Sequence, residues 1–109
     1  MNLQTVRKGG SLCFVLSGEI DESSAPALRQ EMDEALSGGG FREVVFDMSA
    51  VSFMDSTGIG LLLGRYKRGR GRGIPMKILN PNPVCDKIFV LSGIYQVMPK
   101  AEGVQEGRA

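Results

Sequence analysis

Apolar positions recur along this chain with two different periods, and the change from one period to the other marks out its elements. Residues 3–8 read as a short strand, and Gly9-Gly10 supplies the turn of a hairpin. The next stretch, 11–20, holds Leu12-Cys13-Phe14-Val15-Leu16. A continuous apolar run of this kind predicts a strand covered on both faces. Ala25, Leu28, Met32, Ala35 and Leu36 then share one face of a helix, while Glu22, Arg29, Gln30, Glu31 and Glu34 point elsewhere. Ser23 or Ser24 can cap that helix, Pro26 fits its first turn, and Gly38-Gly39-Gly40 ends it.

Val44-Val45-Phe46 predicts another buried strand, whose exit runs through Asp47-Met48-Ser49 to Val51-Ser52-Phe53-Met54. A helix follows over about 56–69, with Ile59, Leu62, Leu63 and Tyr66 as its buried face. Gly58, Gly60 and Gly64 are unusual inside a helix, where each costs about 1 kcal/mol relative to alanine. Either another backbone packs close to this face or a partner approaches it closely, and the two readings are compatible. Residues 65–73 are basic and glycine-rich, and 75–79 predict the next strand. Asn82 can cap a third helix with Pro83 at its first position, Val84, Ile88, Phe89 and Leu91 on its apolar side, and Gly93 at its end. Residues 95–98 read as a last short strand, and 101–109 as a polar, frayed tail.

The predicted order is β-β-α-β-α-β-α-β. It specifies an α/β fold with a mixed central sheet, parallel inner strands and helices packed against them. Functional loops of such sheets gather outside the carboxyl ends of the strands. Two of those ends are Gly18-Glu19-Ile20-Asp21 and Met54-Asp55-Ser56, so Asp21 and Ser56 share a rim if their strands are neighbours.

Composition narrows the function. A length of 109 residues suits one domain, taken as 1–109 with its tail from about 101. The net charge of +1 gives no global reason to expect nucleic acid or a membrane as partner. No apolar run approaches the roughly 20 residues that cross a bilayer, and residues 1–10 lack a signal-peptide core. A cytoplasmic monomer is the default expectation. Cys13 and Cys85 both sit in apolar runs and read as small buried hydrophobes rather than a disulfide. The absence of histidine removes the commonest general base, the usual hydrolase triads and most zinc sites. No glycine string ends in the Lys-Ser/Thr of a phosphate-binding loop. A binding or regulatory module fits better than an enzyme, and no cofactor or metal is expected.

The string Asp55-Ser56-Thr57-Gly58-Ile59-Gly60 places hydroxyls at the mouth of a helix. Ser56 there is either a backbone cap or a phosphate acceptor, with Thr57 the adjacent alternative. Asp55 either orients the serine hydroxyl or helps cap the helix.

These residues resemble the STAS domain, and within it the stand-alone anti-sigma-factor antagonists of bacterial partner-switching systems. The resemblance rests on Gly18-Glu19-Ile20-Asp21, on Phe53-Met54-Asp55-Ser56-Thr57-Gly58-Ile59-Gly60, on Leu63-Gly64-Arg65-Tyr66, and on Ile88-Phe89 with Leu91-Ser92-Gly93-Ile94. It spans roughly 3–99 and implies the STAS fold. It also implies a partner: an anti-sigma factor that is a serine kinase of the histidine-kinase-like ATPase fold. Binding would release the sigma factor, phosphorylation of the serine matching Ser56 would end the complex, and a PP2C-type serine phosphatase would reset it. Such a protein is a ligand and a substrate, not an enzyme. The implied partner surface takes in Asp21, Glu22, Ser23, Asp55, Ser56, Thr57, Gly58 and Ile59, with Ser24 nearby. Met54 and Ile59 read equally as interface contacts or as core. Asp21 reads equally as a contact for a basic residue of the kinase or as a loop or capping acid.

Two other readings stand beside this one. A STAS module without a phosphoswitch would serve a sensory or secretion-regulating complex. A nucleic-acid binder would use Arg65, Lys67, Arg68, Arg70 and Arg72, with Tyr66 stacking on a base. Cations at a helix C-terminus and a solvated exit loop explain the same stretch. Two features depart from the family pattern. The Gly69-Arg70-Gly71-Arg72-Gly73 loop is unusually basic, and residues 100–109 lack the apolar periodicity of a closing helix.

Overall fold

The computed structural model describes residues 3–101; the polar tail, and whether it closes with a helix, lie outside them. Among the described residues the elements are β1 (Leu3–Lys8), β2 (Ser11–Ile20), α1 (Ala25–Ser37), β3 (Glu43–Met54), α2 (Ser56–Arg70), β4 (Met76–Leu79), α3 (Pro83–Ser92) and β5 (Lys100–Ala101). The strands form one sheet in chain order; β1 is antiparallel to β2, and the other pairs are parallel. The α/β architecture with parallel inner strands is therefore present, and β2 and β3 are neighbours.

Crossovers of one hand between successive neighbours place their helices on one face of the sheet, and the core has that form. Leu12, Val44 and Met76 are register partners, as are Phe14, Phe46 and Ile78. These six side chains form one cluster with Leu28, Met32 and Leu36 of α1, Leu61 and Leu62 of α2, and Cys85 and Phe89 of α3. Phe14 and Phe46 meet at its centre, ring centroids 5.5 Å apart. Each fully buried side chain of this size contributes about 1.5–3 kcal/mol.

The apolar run of β2 does not have two covered faces. Leu12, Phe14 and Leu16 are buried, and Cys13 and Val15 between them are half-buried. The row Val6, Cys13, Val45 and Lys77 lies on the face opposite the helices and outside the core cluster. Continuity of apolar residues encoded β-propensity here, and the parity of burial was carried by the neighbouring strands. Cys85 is buried, and both cysteines are free thiols.

Helix faces also differ from the sequence pattern. In α2 the inward line is Gly58, Leu61, Leu62, Arg65 and Gly69. Ile59, Leu63 and Tyr66 pack against the core from its edge. In α3, Cys85 and Phe89 point inward, whereas Val84 and Leu91, expected on the buried side, are 56% and 77% exposed.

The strand expected at 95–98 is replaced by a 3-10 turn at Ile94–Gln96, followed by β5. Gly93 stops α3 with φ +78, and the Ile94 carbonyl accepts from both Val97 and Met98 N–H groups. Both Ile94 and Met98 are buried at this turn.

Asp86 locks this end of the molecule. Its Oδ1 accepts from the Tyr95 hydroxyl at 2.6 Å and from Lys100 Nζ at 3.0 Å. Those two bonds, Tyr95 first, hold the Asp86 carboxyl below the usual carboxylate range. Burial, then Asp86, push the Tyr95 phenol up. A depressed carboxylate contributes stability above its unfolded-state value and loses it as pH falls through its folded-state value. The Asp86→Asn variant is therefore expected to be less stable than wild type near neutrality. In denaturant titrations at decreasing pH the two curves should converge below the ordinary carboxylate range.

Candidate functional site

The site is built where β2 and β3 end side by side. Ile20 pairs with Met54 in register, and Asp55 N–H donates to the Ile20 carbonyl at 3.3 Å. Asp21 and Asp55 therefore begin neighbouring loops, and Ser56 stands on the same rim as Asp21. Two register shifts, between Val15 and Ser17 and between Gly18 and Glu19, precede this end of the ladder. Gly18, at φ +74, takes a conformation that a side chain would strain. Past these irregularities Val51 and Met54 face inward, while Phe53 is 45% exposed.

Asp55, not Ser56, is the N-cap of α2. Asp55 has extended backbone, and its Oδ1 accepts from Thr57 N–H at 2.8 Å. Its carbonyl accepts from Gly58 N–H at 3.0 Å. Ser56 is thus the first helical residue, and it is exposed. Its hydroxyl is not needed as the cap that the sequence left open. Thr57 and Ile59 are half-buried.

Asp21 organises the turn into α1. Its Oδ1 accepts from Ser23 N–H at 3.1 Å, Ser23 Oγ at 3.0 Å and Ser24 N–H at 3.1 Å. These bonds, with that from Ser24 N–H the largest, hold its carboxyl below the usual range. The Asp21 carbonyl accepts from Ala25 N–H. Ser24 holds the N-cap position of α1 without capping it; its Oγ donates to the Glu19 carbonyl at 3.1 Å. Glu22 and Ser23 are exposed. The rim that carries Ser56 is therefore acidic, with Asp21, Glu22 and Asp55 in the two loops that leave from these strand ends.

Met54, read equally as contact or core, and Gly58, of the implied partner surface, both lie inward. Met54 is fully buried, and Gly58 is buried beneath it. A Cβ at position 58 would fall against Met54 Cγ and Sδ, so a side chain, not a backbone, demands this glycine. A Cβ at Gly60 or Gly64 would meet nothing within 4 Å. With Ser56 at i, these two occupy i+4 and i+8 and form a bare ridge along one helix face.

Sequence reasoning missed two features. Phe53 was read only as part of an apolar run; it lies next to the inward Met54, on the outward parity of β3. Asn82 was read only as a cap, and its Oδ1 does accept from Cys85 N–H at 2.8 Å. Its Nδ2 also donates to the Val51 carbonyl at 2.9 Å, tying α3 to the strand that leads to Ser56.

The basic stretch is divided between interior and surface. Arg65 is 5% exposed, with Nε 2.9 Å from Asp33 Oδ1 of α1. Arg68 Nε reaches the same oxygen at 3.2 Å. The Arg65 Nη1 is buried without a hydrogen-bond partner among the described residues. Burial, opposed by Asp33, brings the Arg65 guanidinium below its ordinary value. Arg70 lies over the Tyr66 ring, 6.0 Å from its centroid, on the ring that the nucleic-acid reading offered to a base. Among the described residues no group of histidine, cysteine and carboxylate side chains could hold a metal, and no helix is long and apolar enough to cross a membrane.

The STAS domain description matches residues 2–107 of this chain. The chain belongs to the STAS domain family. It is 36% identical over 101 residues to the anti-sigma F factor antagonist of Paenibacillus polymyxa, covering 91% of this chain and 86% of that one. It is 32% identical over 106 residues to the anti-sigma-B factor antagonist of Bacillus subtilis, covering 94% and 95%. Among solved structures it resembles the anti-sigma factor antagonist SpoIIAA in its unphosphorylated form, with TM-score 0.81, 28% identity, and coverage of 95% of this chain and 91% of that one. The phosphorylated form of Bacillus SpoIIAA aligns with TM-score 0.74, 28% identity and 95% of both chains. That relative therefore keeps the STAS fold in both states.

The Asp55 cap makes a direct prediction for this STAS domain. Asp55→Ala is expected to lower stability by about 1 kcal/mol, read as a shift in the urea midpoint with an unchanged slope. An unchanged midpoint would mean that the cap contributes nothing.

Proposed function

We propose that this protein is an anti-sigma-factor antagonist that binds its anti-sigma factor in the unmodified state and is released when Ser56 is phosphorylated. The observation that carries the reading is the exposed Ser56 hydroxyl at the first helical position of α2, on one acidic rim with Asp21 and Asp55. The partner is an anti-sigma factor with serine-kinase activity of the histidine-kinase-like ATPase type. A PP2C-type serine phosphatase resets the cycle, and the setting is cytoplasmic. The domain itself is a ligand and a substrate; it performs no catalysis.

Phosphorylation adds roughly −1.5 to −2 charges at neutral pH. The free N–H groups and dipole of a helix N-terminus favour an anion, so the domain tolerates the modification. The cost falls on the complex. A dianion added to Asp21, Glu22 and Asp55 repels acidic or nucleotide-phosphate groups across the interface and stays strongly hydrated. A loss of about 2.8 kcal/mol weakens binding roughly a hundredfold, enough for a switch.

The ridge of Ser56, Gly60 and Gly64 supports close approach by the partner. Two helical glycines with empty space where their Cβ atoms would sit serve no internal packing. Phe53, beside this ridge in sequence and exposed, supplies an aromatic anchor of the kind that dominates interfaces.

Binding assays on the cognate kinase test the switch. Ser56→Ala is expected to bind and to stay bound with ATP present, and Ser56→Asp to bind at least tenfold more weakly, or about 1.4 kcal/mol. Equal affinities for both and for wild type would remove charge at Ser56 from the mechanism. Gly64→Ala is expected to raise stability in denaturant by about 0.5–1 kcal/mol and yet to weaken kinase binding. A stabilised variant with unchanged affinity would exclude the ridge from the interface.

A further inference from the structure

We propose that Met54 is a positioning residue for Ser56: its buried side chain, seated against Gly58, fixes the turn on which the hydroxyl is presented. This rests on Ser56 being the phosphate acceptor. Met54 and Gly58 bracket the serine in sequence, two residues before it and two after. Met54 has no exposed surface, and its Cγ and Sδ occupy the space that any Cβ at position 58 would need. The same absent Cβ would lie 3.5 Å from Ile20 Cγ2, so the seat closes against the register partner of Met54. Gly69 makes a comparable contact with Met76 near the other end of α2. The helix is thus pinned to the core through a methionine at each end.

The seat has a chemical consequence. In the transfer, Ser56 Oγ bonds to the γ-phosphorus of ATP held by the kinase. The bond from that phosphorus to the β–γ bridging oxygen breaks, ADP leaves, and the hydroxyl proton passes to a base on the kinase. The attacking oxygen must lie in line with the departing one, and an error of about 1 Å in such placement costs roughly a hundredfold in rate. Ser56 is the first residue of the helix, with the extended Asp55 cap behind it. The Asp55 cap fixes the backbone, and the Met54–Gly58 contact fixes how far the first turn stands from the core.

The test uses the full chain, its kinase and ATP, with Gly58→Ala, Met54→Ala and the double variant. Two quantities are read: the initial rate of phosphate uptake at Ser56, and hydrogen exchange of the Thr57 amide that donates to Asp55. Gly58→Ala is expected to slow uptake at least roughly tenfold and to speed Thr57 exchange. The double variant, in which the new methyl enters the space that Met54 vacates, is expected to recover most of both losses. Gly58→Ala at the wild-type rate would overturn the proposal, as would a double variant no better than either single one. If Gly58→Ala does not fold, the comparison of Met54→Ala with the double variant decides: the added methyl either restores Thr57 protection and rate, or the proposal fails. If wild type takes up no phosphate at all, the switch reading fails, and Thr57 exchange across the same variants still decides the seat.

Discussion

The bond from Asp55 N–H to the Ile20 carbonyl closes the parallel ladder between β2 and β3. Because that ladder carries Ile20 and Met54 to the rim as partners, the two loops that follow must leave from one place. The side chains of both partners then turn inward and are fully buried. A slip of one residue in this register would send Met54 to solvent and Asp55 toward the core, with a buried carboxylate as the penalty. The two register shifts before it together add two residues to β3, so Ile20 and Met54 end the ladder with the same inward parity as Phe14 and Phe46. The acidic rim, the cap of α2 and the exposure of Ser56 all depend on that parity.

Capping and presentation are assigned to different residues. Asp55 satisfies the helix end, so Ser56 can change its charge without removing a structural hydrogen bond. Met54 and Gly58 hold the same turn from below, through packing that a phosphate on the outer face does not touch. The positive end of the helix dipole lowers the cost of an anion within the domain. What remains is a change of charge at a rim already acidic, felt by whatever faces it. On the proposed function this is a switch of the interface on an unchanged fold. The buried Arg65, shared with Arg68 on Asp33, belongs to the scaffold that keeps α1 and α2 in place.

Much of this was legible in the sequence, for identifiable reasons. Helix ends carry local chemistry, so Asn82-Pro83 and Gly93 marked α3 correctly. Alternating elements implied parallel inner strands, which put Asp21 and Ser56 on one rim on condition that β2 and β3 are neighbours, as they are. Features that depend on parity or on partners were not legible. The run Leu12–Leu16 does not state which face a neighbour covers. An arginine in a basic stretch does not announce that Asp33, thirty-two residues earlier, will bury it. Met54 and Phe53 are adjacent apolar residues with opposite fates, decided by which of them pairs with the buried Ile20. The glycines of α2 look alike in sequence, yet Gly58 is forced by Met54, and Gly60 and Gly64 are forced by nothing within the domain. The turn at Ile94 replaced an expected strand: Gly93 turns the chain at positive φ, and the Ile94 carbonyl takes the Val97 and Met98 N–H groups that a ladder would have used.

The most direct measurement is site-resolved mass analysis of the wild-type chain after incubation with its cognate kinase and ATP, with the bound fraction followed in the same samples. The account predicts a single phosphate, on Ser56, appearing in step with loss of the complex and leaving the fold intact by circular dichroism. A complex that persists without phosphate on Ser56, or a phosphate on Thr57 in its place, would contradict it.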